Sequence, residues 1–293
     1  MSSQPPTLVK HLLPLTRLVF AISVVLAGIA GIQLYVLATR TDRYFAWTIG
    51  NPLSAAFVGT GFWAGTILLL FAIREEAWAN VRVAVAAVVT FVPLMVLATL
   101  MHLDPFHFHS HLLGARVAAW AWLIVYVTVP FILAATLLLQ LRAPGGDPPN
   151  GAPVPDWVRA FLGLNGVISL IVGLCLTLIP HRVFTHWPWG LTEFTAQTVG
   201  AGFLTIGVAS VWFVREKGWA RGRVGTVPYL LIGALQLLAL LRFHSSVEWG
   251  RVGAWLYLLY VVGILVGGIY STLMVWRLRS HKDAVVAAVP RKT

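Results

Sequence analysis

Histidine is the residue type whose arrangement in this chain comes closest to a chemical site. Four of the nine histidines fall in one short segment, which reads His102-Leu103-Asp104-Pro105-Phe106-His107-Phe108-His109-Ser110-His111. Alternate residues of an extended segment share a face, so His107, His109 and His111 could converge. In a helical turn, His107 and His111 would instead face each other. Either arrangement suits imidazole ligation of Zn, Cu, Ni or Fe, or a response to pH.

Acidic residues close to the histidines could complete such a site. Asp104 lies inside the histidine segment, and Glu248 follows His244 closely in the second half of the chain. A carboxylate can bind a metal directly or orient the imidazole that does. The sequence therefore predicts that these side chains gather around one polar cavity between the halves, which could bind a divalent metal or respond to pH, although no cofactor is required. The alternative interpretation is a polar, neutral loop that lies near the lipid heads. The candidate metal-ligating residues are His102, Asp104, His107, His109, His111 and His244.

The elements that position these residues follow from the composition. Hydrophobic residues make up 58% and charged residues 11% of the 293-residue chain, against about 45–50% and about 25% in a soluble domain. Such a chain cannot cover a water-facing surface with polar groups, which excludes an ordinary soluble enzyme. Long continuous apolar runs also exclude a transmembrane β-barrel. The composition predicts an all-α integral membrane protein, and its single Cys175 excludes an intramolecular disulfide.

Eight apolar segments reach the length of about 20 residues that a membrane-spanning helix needs. They cover residues 18–38, 53–73, 83–101, 117–141, 158–179, 194–214, 224–241 and 252–276. The first is too long for a signal peptide and is interpreted as a retained span. Between the fourth and fifth segments, residues 143–156 are rich in Pro and Gly, which predicts a solvated linker that divides the chain into two four-span halves.

The distribution of basic residues predicts the orientation. If the N-terminus is cytoplasmic, 15 Lys and Arg residues lie on the inner side and 6 on the outer side. The positive-inside rule then places both termini and the linker in the cytoplasm, and the histidine segment outside, in a plasma or inner membrane. The net charge of +11 is explained by contact with anionic lipid heads. A nucleic-acid partner is excluded because no soluble element carries a basic face.

The two halves repeat several motifs in the same order, which predicts an internal duplication. The motif pairs are Trp47-Thr48-Ile49-Gly50 with Trp187-Pro188-Trp189-Gly190, Gly59-Thr60-Gly61-Phe62 with Gly200-Ala201-Gly202-Phe203, Arg74-Glu75-Glu76-Ala77-Trp78-Ala79 with Arg215-Glu216-Lys217-Gly218-Trp219-Ala220, and Arg116-Val117-Ala118-Ala119-Trp120 with Arg251-Val252-Gly253-Ala254-Trp255. Four spans per half make the repeats parallel, related by an axis along the membrane normal. The predicted units are residues 1–142, the linker 143–156, residues 157–279 and a basic tail 280–293.

A solute path between the repeats is the second candidate site. Small residues let membrane helices approach closely, while amides and aromatic rings can contact a solute. The residues assigned to this path are Gly59, Gly61, Trp120, Trp122, Gln197, Gly200, Gly202, Gln236 and Trp255. The alternative interpretation is helix packing and anchoring of aromatic rings at the interface. Charged residues are absent from the span centres, which argues against a proton-driven carrier or a pump.

Three functions remain open at the level of sequence. The favoured one is permease-like passage or binding of a small uncharged or lipid-like solute between the repeats. The second is an outer-face metal-binding membrane enzyme or sensor that uses residues 102–111. The third is a structural or assembly subunit of a membrane complex. Catalysis is disfavoured because no serine or cysteine nucleophile lies beside a histidine and an acid at a recognisable spacing.

Overall fold

The computed structural model of the chain describes residues 8–288, with side chains described through Ser280. Residues 1–7 and 289–293 lie outside the described residues, and with them Arg291 and Lys292 of the predicted basic tail. The described chain is helical, with isolated bridges and no strand between residues 8 and 288. Eight of its helices are long and apolar enough to cross a membrane. These are the features of a multi-pass integral membrane protein.

The eight predicted spans are confirmed as helices whose first residues differ from the prediction by a few positions. The long helices are α1 (Pro14–Gly31), α3 (Pro52–Ile73), α4 (Arg82–Met101), α5 (Leu113–Arg142), α6 (Asp156–Leu178), α8 (Glu193–Glu216), α9 (Trp219–Arg242) and α10 (Val252–Ala288). A π-helix, Ile32–Val36, continues α1, so the first span runs over Pro14–Val36. Two short helices, α2 (Thr41–Tyr44) and α7 (Pro180–Phe184), follow the first and fifth spans, and 3₁₀ turns lie at Trp78–Asn80 and His244–Ser246.

Helices α3 and α8 begin with the same kind of cap. The Asn51 side chain accepts a hydrogen bond from the Leu53 amide at 2.9 Å, and the Thr192 hydroxyl accepts one from the Thr195 amide at 3.2 Å. Such side-chain caps satisfy amide groups that have no partner within the helix. Both helices therefore start at fixed residues on the same side of the bundle.

The helices pack in two matching sets. Helix α1 packs on α3 and α6 packs on α8, while α4 packs against α8 and α3 against α9 across the centre. Glycines allow the closest of these approaches. A Cβ added to Gly59 would lie 2.6 Å from the Tyr35 backbone nitrogen, and one added to Gly200 would lie 3.0 Å from the Gly173 carbonyl oxygen. The main core joins α3 and α8 to the segments around Trp47 and Trp189 and to the adjoining ends of α4, α5, α9 and α10.

The loops collect at two ends of the bundle. The linker end comprises residues 8–13, 74–81, 143–155 and 217–218, and the histidine end comprises residues 37–51, 102–112, 179–192 and 243–251.

At the linker end, the Pro/Gly-rich segment is partly packed where the sequence predicts a solvated linker. The Val154 amide donates a hydrogen bond to the Lys217 carbonyl, the Trp219 amide donates to the Ala152 carbonyl, and the Val154 side chain is buried. These backbone hydrogen bonds fix the segment against the start of α9.

Candidate functional site

An apolar crevice of about 760 Å³ runs between α1, α3, α4 and α5 on one side and α8 and α9 on the other. Leu68, Phe91, Val125, Ile206 and Ile232 are typical of its lining. No Asp, Glu, Lys, Arg or His side chain occurs among the described residues that line it. Its volume falls within the range of about 300–1,000 Å³ that ligand-binding pockets occupy.

Helix α5 is joined to α4 and to the first span by side-chain hydrogen bonds. Near the histidine end, the Trp122 indole donates a hydrogen bond to the Thr99 hydroxyl of α4 at 3.0 Å. Near the linker end, the Gln140 side-chain carbonyl accepts hydrogen bonds from the Leu13 amide and the Thr16 hydroxyl of the first span. Residues of α5 from Leu113 to Val129 line the crevice, which therefore extends from the start of this helix past Trp122 to its middle.

The rim of the crevice carries exposed apolar side chains. Leu26 and Ile29 of α1 and Leu113 and Val117 of α5 line the crevice and are also exposed on the bundle surface. In a membrane protein this surface faces lipid. The crevice is therefore accessible to an apolar molecule that approaches from within the bilayer.

Four residues assigned to the solute path by sequence line this crevice, namely Gly61, Trp122, Gly202 and Gln236. A Cβ on Gly61 would meet no heavy atom within 4 Å, so this glycine leaves space rather than allowing a close helix contact. The Gln236 amide nitrogen donates to the Phe57 carbonyl at 3.3 Å, and its oxygen accepts from the Tyr257 hydroxyl at 2.8 Å. Its amide therefore joins α9 to α3 and α10.

The other five residues assigned to the path have different surroundings. Gly59 and Gly200 pack against the preceding spans, as described above, and Gln197 is buried in α8 outside the crevice lining. Trp120 and Trp255 are exposed, and their rings pack on Phe108 and Trp249 respectively. The structure therefore brings only part of the predicted path together.

Two residues of the crevice lining carry hydroxyl groups that the sequence does not single out. Tyr229 and Ser271 line the crevice, and their buried oxygens have no hydrogen-bond partner. Tyrosine and serine are common in membrane helices, so the sequence carries no signal that separates these two from others. Their lack of a partner becomes visible only once α9 and α10 are packed together.

Two members of the histidine cluster, His102 and His107, have partners in the structure. His102 places Nδ1 3.1 Å from the Ala98 carbonyl oxygen, and its ring stacks on Phe194. His107 places Nδ1 3.0 Å from the Phe45 carbonyl oxygen and Nε2 2.9 Å from the Thr48 hydroxyl. His107 therefore links the 102–111 segment to the loop that follows α2.

The remaining candidate ligands are exposed at the histidine end; they are Asp104, His109, His111 and His244. Among the side chains described between residues 8 and 280, no three His, Cys, Asp or Glu residues come together in an arrangement that could hold a metal ion. His181 Nε2 lies 3.7 Å from a carboxylate oxygen of Glu193, and this contact involves only two residues of these types. Metal binding by the cluster stays a prediction.

Charged residues form a reciprocal network at the linker end. Arg82 at the start of α4 pairs with Glu216 at 3.0 Å, and Arg223 at the start of α9 pairs with Glu75. Each half thus supplies one arginine and one glutamate to the other half. Charges that leave water are stable only when they are paired or hydrogen-bonded, so this network holds the two halves together at this end.

Arg221 extends the network into the interior. Its side chain is 1% exposed, and it lies 3.9 Å from Glu216 and 4.0 Å from Asp147. It also donates to the Asn150 side chain at 2.9 Å. The 143–156 segment therefore contributes polar groups that cover a buried guanidinium.

Comparison with family models, with curated proteins and with solved structures gives no match. The function proposed next therefore rests on the geometry of this chain.

Proposed function

We propose that this protein binds a small uncharged or lipid-like solute in the crevice, as the binding step of a permease-like passage through the membrane. The observation that carries the proposal is a large apolar crevice in the membrane-spanning region with exposed apolar residues at its rim. An unfilled apolar space forfeits the dispersion contacts that close packing would supply. A hydrocarbon chain from the bilayer or from a dissolved apolar solute would restore them.

The lining also supports an uncharged occupant. An ion in this crevice would lose its hydration, and none of the described lining residues offers an opposite charge. That transfer costs several kcal/mol or more. Hydrocarbons and neutral amphiphiles carry no such penalty, which makes them the favoured solute class.

We further propose that the two four-span halves are parallel repeats. The reciprocal pairs Arg82–Glu216 and Arg223–Glu75 support this arrangement, because a two-fold relation makes each contact occur twice with its partners exchanged. The backbone supports it as well. The Trp78 amide donates to the Lys10 carbonyl as the Trp219 amide donates to the Ala152 carbonyl.

We also propose that the linker end faces the cytoplasm. This proposal is supported by the positive-inside rule, since the basic residues of the α3–α4 and α8–α9 connections and of the linker region collect there. The histidine segment would then lie on the outer face, and the orientation can be tested with reporter fusions at residues 105–112 and 143–156.

Photolabelling with a hydrocarbon probe tests the binding proposal. Native membranes would be incubated with an alkane that carries a diazirine and then irradiated. The labelled peptides would be identified by mass spectrometry. We expect label on crevice-lining residues of α4 and α5, and much less of it in Gly65→Leu and Gly225→Leu. Both glycines line the crevice, and a Cβ on either meets no atom within 4 Å, so the new side chains would fill the crevice.

Gly163→Leu is the matched control. Gly163 lies in α6 outside the crevice lining, and a Cβ there would make only an ordinary 3.8 Å contact with Val214. Its labelling should equal that of the unchanged protein. Label confined to the outer helix surfaces, and unaffected by filling the crevice, would overturn the proposal.

A further inference from the structure

We infer that the crevice binds a long-chain amphiphile lengthwise, with its hydrocarbon end towards the linker end and an uncharged polar head beside Gln33 at the histidine end, an inference that rests on the binding function proposed above. Three features of the crevice support it. They are the length of the crevice, the unequal exposure of its two ends, and the position of Gln33 in its lining.

The crevice extends over most of the membrane-spanning depth. Its lining on α9 runs from Gly222, near the linker end, to Gln236, and its lining on α5 runs from Leu113, at the histidine end, to Val129. These stretches correspond to about 21 Å and about 24 Å along the two helices, against a hydrocarbon core about 30 Å thick. A chain that fills this space reaches well past the middle of the bilayer, which favours a long and extended hydrocarbon.

The crevice is closed at the linker end. The lining residues of this closed end are all buried; they are Leu69, Val83, Leu162, Phe213 and Gly222. Val83 directly follows Arg82, and Gly222 lies between Arg221 and Arg223, so the ion-pair network lies just beyond this end. A polar head placed here would be cut off from water, whereas the apolar end of a chain fits.

The crevice is open at the histidine end. Leu113 and Val117 of α5 are 64% and 56% exposed, and Gly114 between them is exposed as well. This open end lies next to the loop after the first span, because a Cβ on Gly114 would lie 3.2 Å from the Arg43 carbonyl oxygen. A solute bound here can keep its polar head near the membrane surface while its chain enters the crevice.

Gln33 is a half-buried lining residue near this open end. It lies three residues before Val36, the last residue of the first span, and belongs to the π-helical turn. Such turns occur frequently at functional sites. The other amide of the lining, Gln236, has both polar atoms bonded within the chain. The Gln33 amide takes part in no hydrogen bond among the side chains described between residues 8 and 280, so it is available to a solute.

The Gln33 amide favours an uncharged head that can form hydrogen bonds. It donates through its nitrogen and accepts through its oxygen, which suits hydroxyl and ester groups. A charged head would lose part of its hydration and would find no opposite charge in the described lining. The solute class is therefore a neutral long-chain amphiphile of the monoacylglycerol type.

Two photoactive monoacylglycerols that differ only in the position of the diazirine test the orientation. One carries the diazirine beside the ester, and the other carries it at the end of the chain. In native membranes we expect the ester probe to label the open end, at Leu113 and Val117, and the chain-end probe to label the closed end, at Val83 and Phe213. Both closed-end residues are buried, so a lipid on the outside of the bundle cannot reach them.

Gln33→Met tests the contact with the head, because it keeps the length of the side chain and removes the amide. We expect about fivefold less labelling by either monoacylglycerol, the equivalent of one hydrogen bond, and unchanged labelling by the diazirine alkane. Ser23→Ala is the control. Ser23 lines the crevice earlier in the first span, but its hydroxyl already donates to the Val19 carbonyl at 2.8 Å, so labelling by all probes should stay the same.

The possible failures are distinguishable. The same label distribution from both monoacylglycerols, or the reverse one, would overturn the inferred orientation and leave the proposed binding function standing. Undiminished monoacylglycerol labelling in Gln33→Met would overturn the contact between Gln33 and the head. Absence of crevice labelling by every probe, the alkane included, would overturn both this inference and the proposed function.

Discussion

Two helix pairs that occupy corresponding places in the proposed repeats differ sharply in how they pack. Helices α9 and α10 touch along their length, because an added Cβ at Gly233 or at Gly268 would lie 2.5 Å from backbone atoms of the other helix. Helices α4 and α5 enclose part of the crevice instead. Counting from the repeated motifs, Gly233 corresponds to Val92 and Gly268 to Leu133.

In the proposed repeats, this difference makes the second half closed and the first half open. Lipid gives helices no hydrophobic reason to associate, so their contact depends on small residues that allow close packing. The second half keeps glycines at both contact positions and forms a tight pair. The first half has Val92 and Leu133 there, and its last helix, α5, lines the crevice from Leu113 to Val129.

The largest expected effect comes from removing Glu216. Glu216→Ala leaves Asp147, at 2.7 Å from Arg82 and 4.0 Å from the fully buried Arg221, as the remaining carboxylate of both arginines. Breaking a buried ion pair typically costs about 3–5 kcal/mol, and the retained Asp147 places this variant at the lower end of that range. Glu75→Ala at the corresponding position should cost less, about 1–2 kcal/mol, because its partner Arg223 is 35% exposed and can reach water. Unfolding free energies measured in mixed micelles test the difference.

Glu76→Ala is the control for this pair of variants. The Glu76 side chain is exposed at the linker end, and such surface changes stay within about 0.5 kcal/mol. A larger loss of stability in Glu75→Ala than in Glu216→Ala would contradict the assignment of Glu216 as a carboxylate partner of the buried Arg221.

A smaller effect separates two glycines of α9. Gly233→Leu should lower the free energy of unfolding by about 1–3 kcal/mol, because the new side chain overpacks the contact with Leu265. Gly225→Leu, eight residues earlier in the same helix, should change it by about 0.5 kcal/mol at most, since its Cβ enters the crevice. Equal destabilisation by both substitutions would show that α9 has no open side.

The smallest effect is expected at the histidine end. His107→Ala removes hydrogen bonds to the Phe45 carbonyl and the Thr48 hydroxyl, and should cost about 1 kcal/mol. His109→Ala, at an exposed side chain, should leave stability unchanged. If the two variants are equally stable, the linking role assigned to His107 is wrong.

Metal analysis of the protein purified without a histidine tag tests the separate prediction of a metal site. About one metal per chain, lost in His107→Ala and His109→Ala, would support that prediction. A metal content that these substitutions do not change would contradict it.

The sequence was sufficient to locate the spans but not the crevice. A membrane span must be apolar along its whole length, so residues such as 83–101 identify themselves without reference to the rest of the chain. The crevice depends on which residues of α5 fail to meet α4, and this involves pairs far apart in sequence. Gly61 is an example. Its motif is consistent with close helix packing or with a solute path, and only the empty space beside this glycine in the structure distinguishes the two.

The histidine cluster shows a related limit of sequence analysis. The density of imidazoles between His102 and His111 suggests that they act together. In the folded chain His107 finds its partners in the loop around Phe45, about 60 residues earlier, and His102 stacks on Phe194 from the other half. Neighbours in sequence thus acquire separate partners, because the tertiary packing places the Phe45 carbonyl against one ring and the Phe194 ring against the other.

A density map of the protein in a lipid nanodisc tests whether the crevice is open and holds an apolar molecule. We expect α4 and α5 to stay apart around Phe91 and Val125, with elongated density for an apolar molecule in the space that these residues line. Helices α9 and α10 should meet at Gly233 and Gly268 in the same map. A map in which α5 packs along α4 as closely as α10 packs along α9, with no space between them, would contradict the proposed binding crevice.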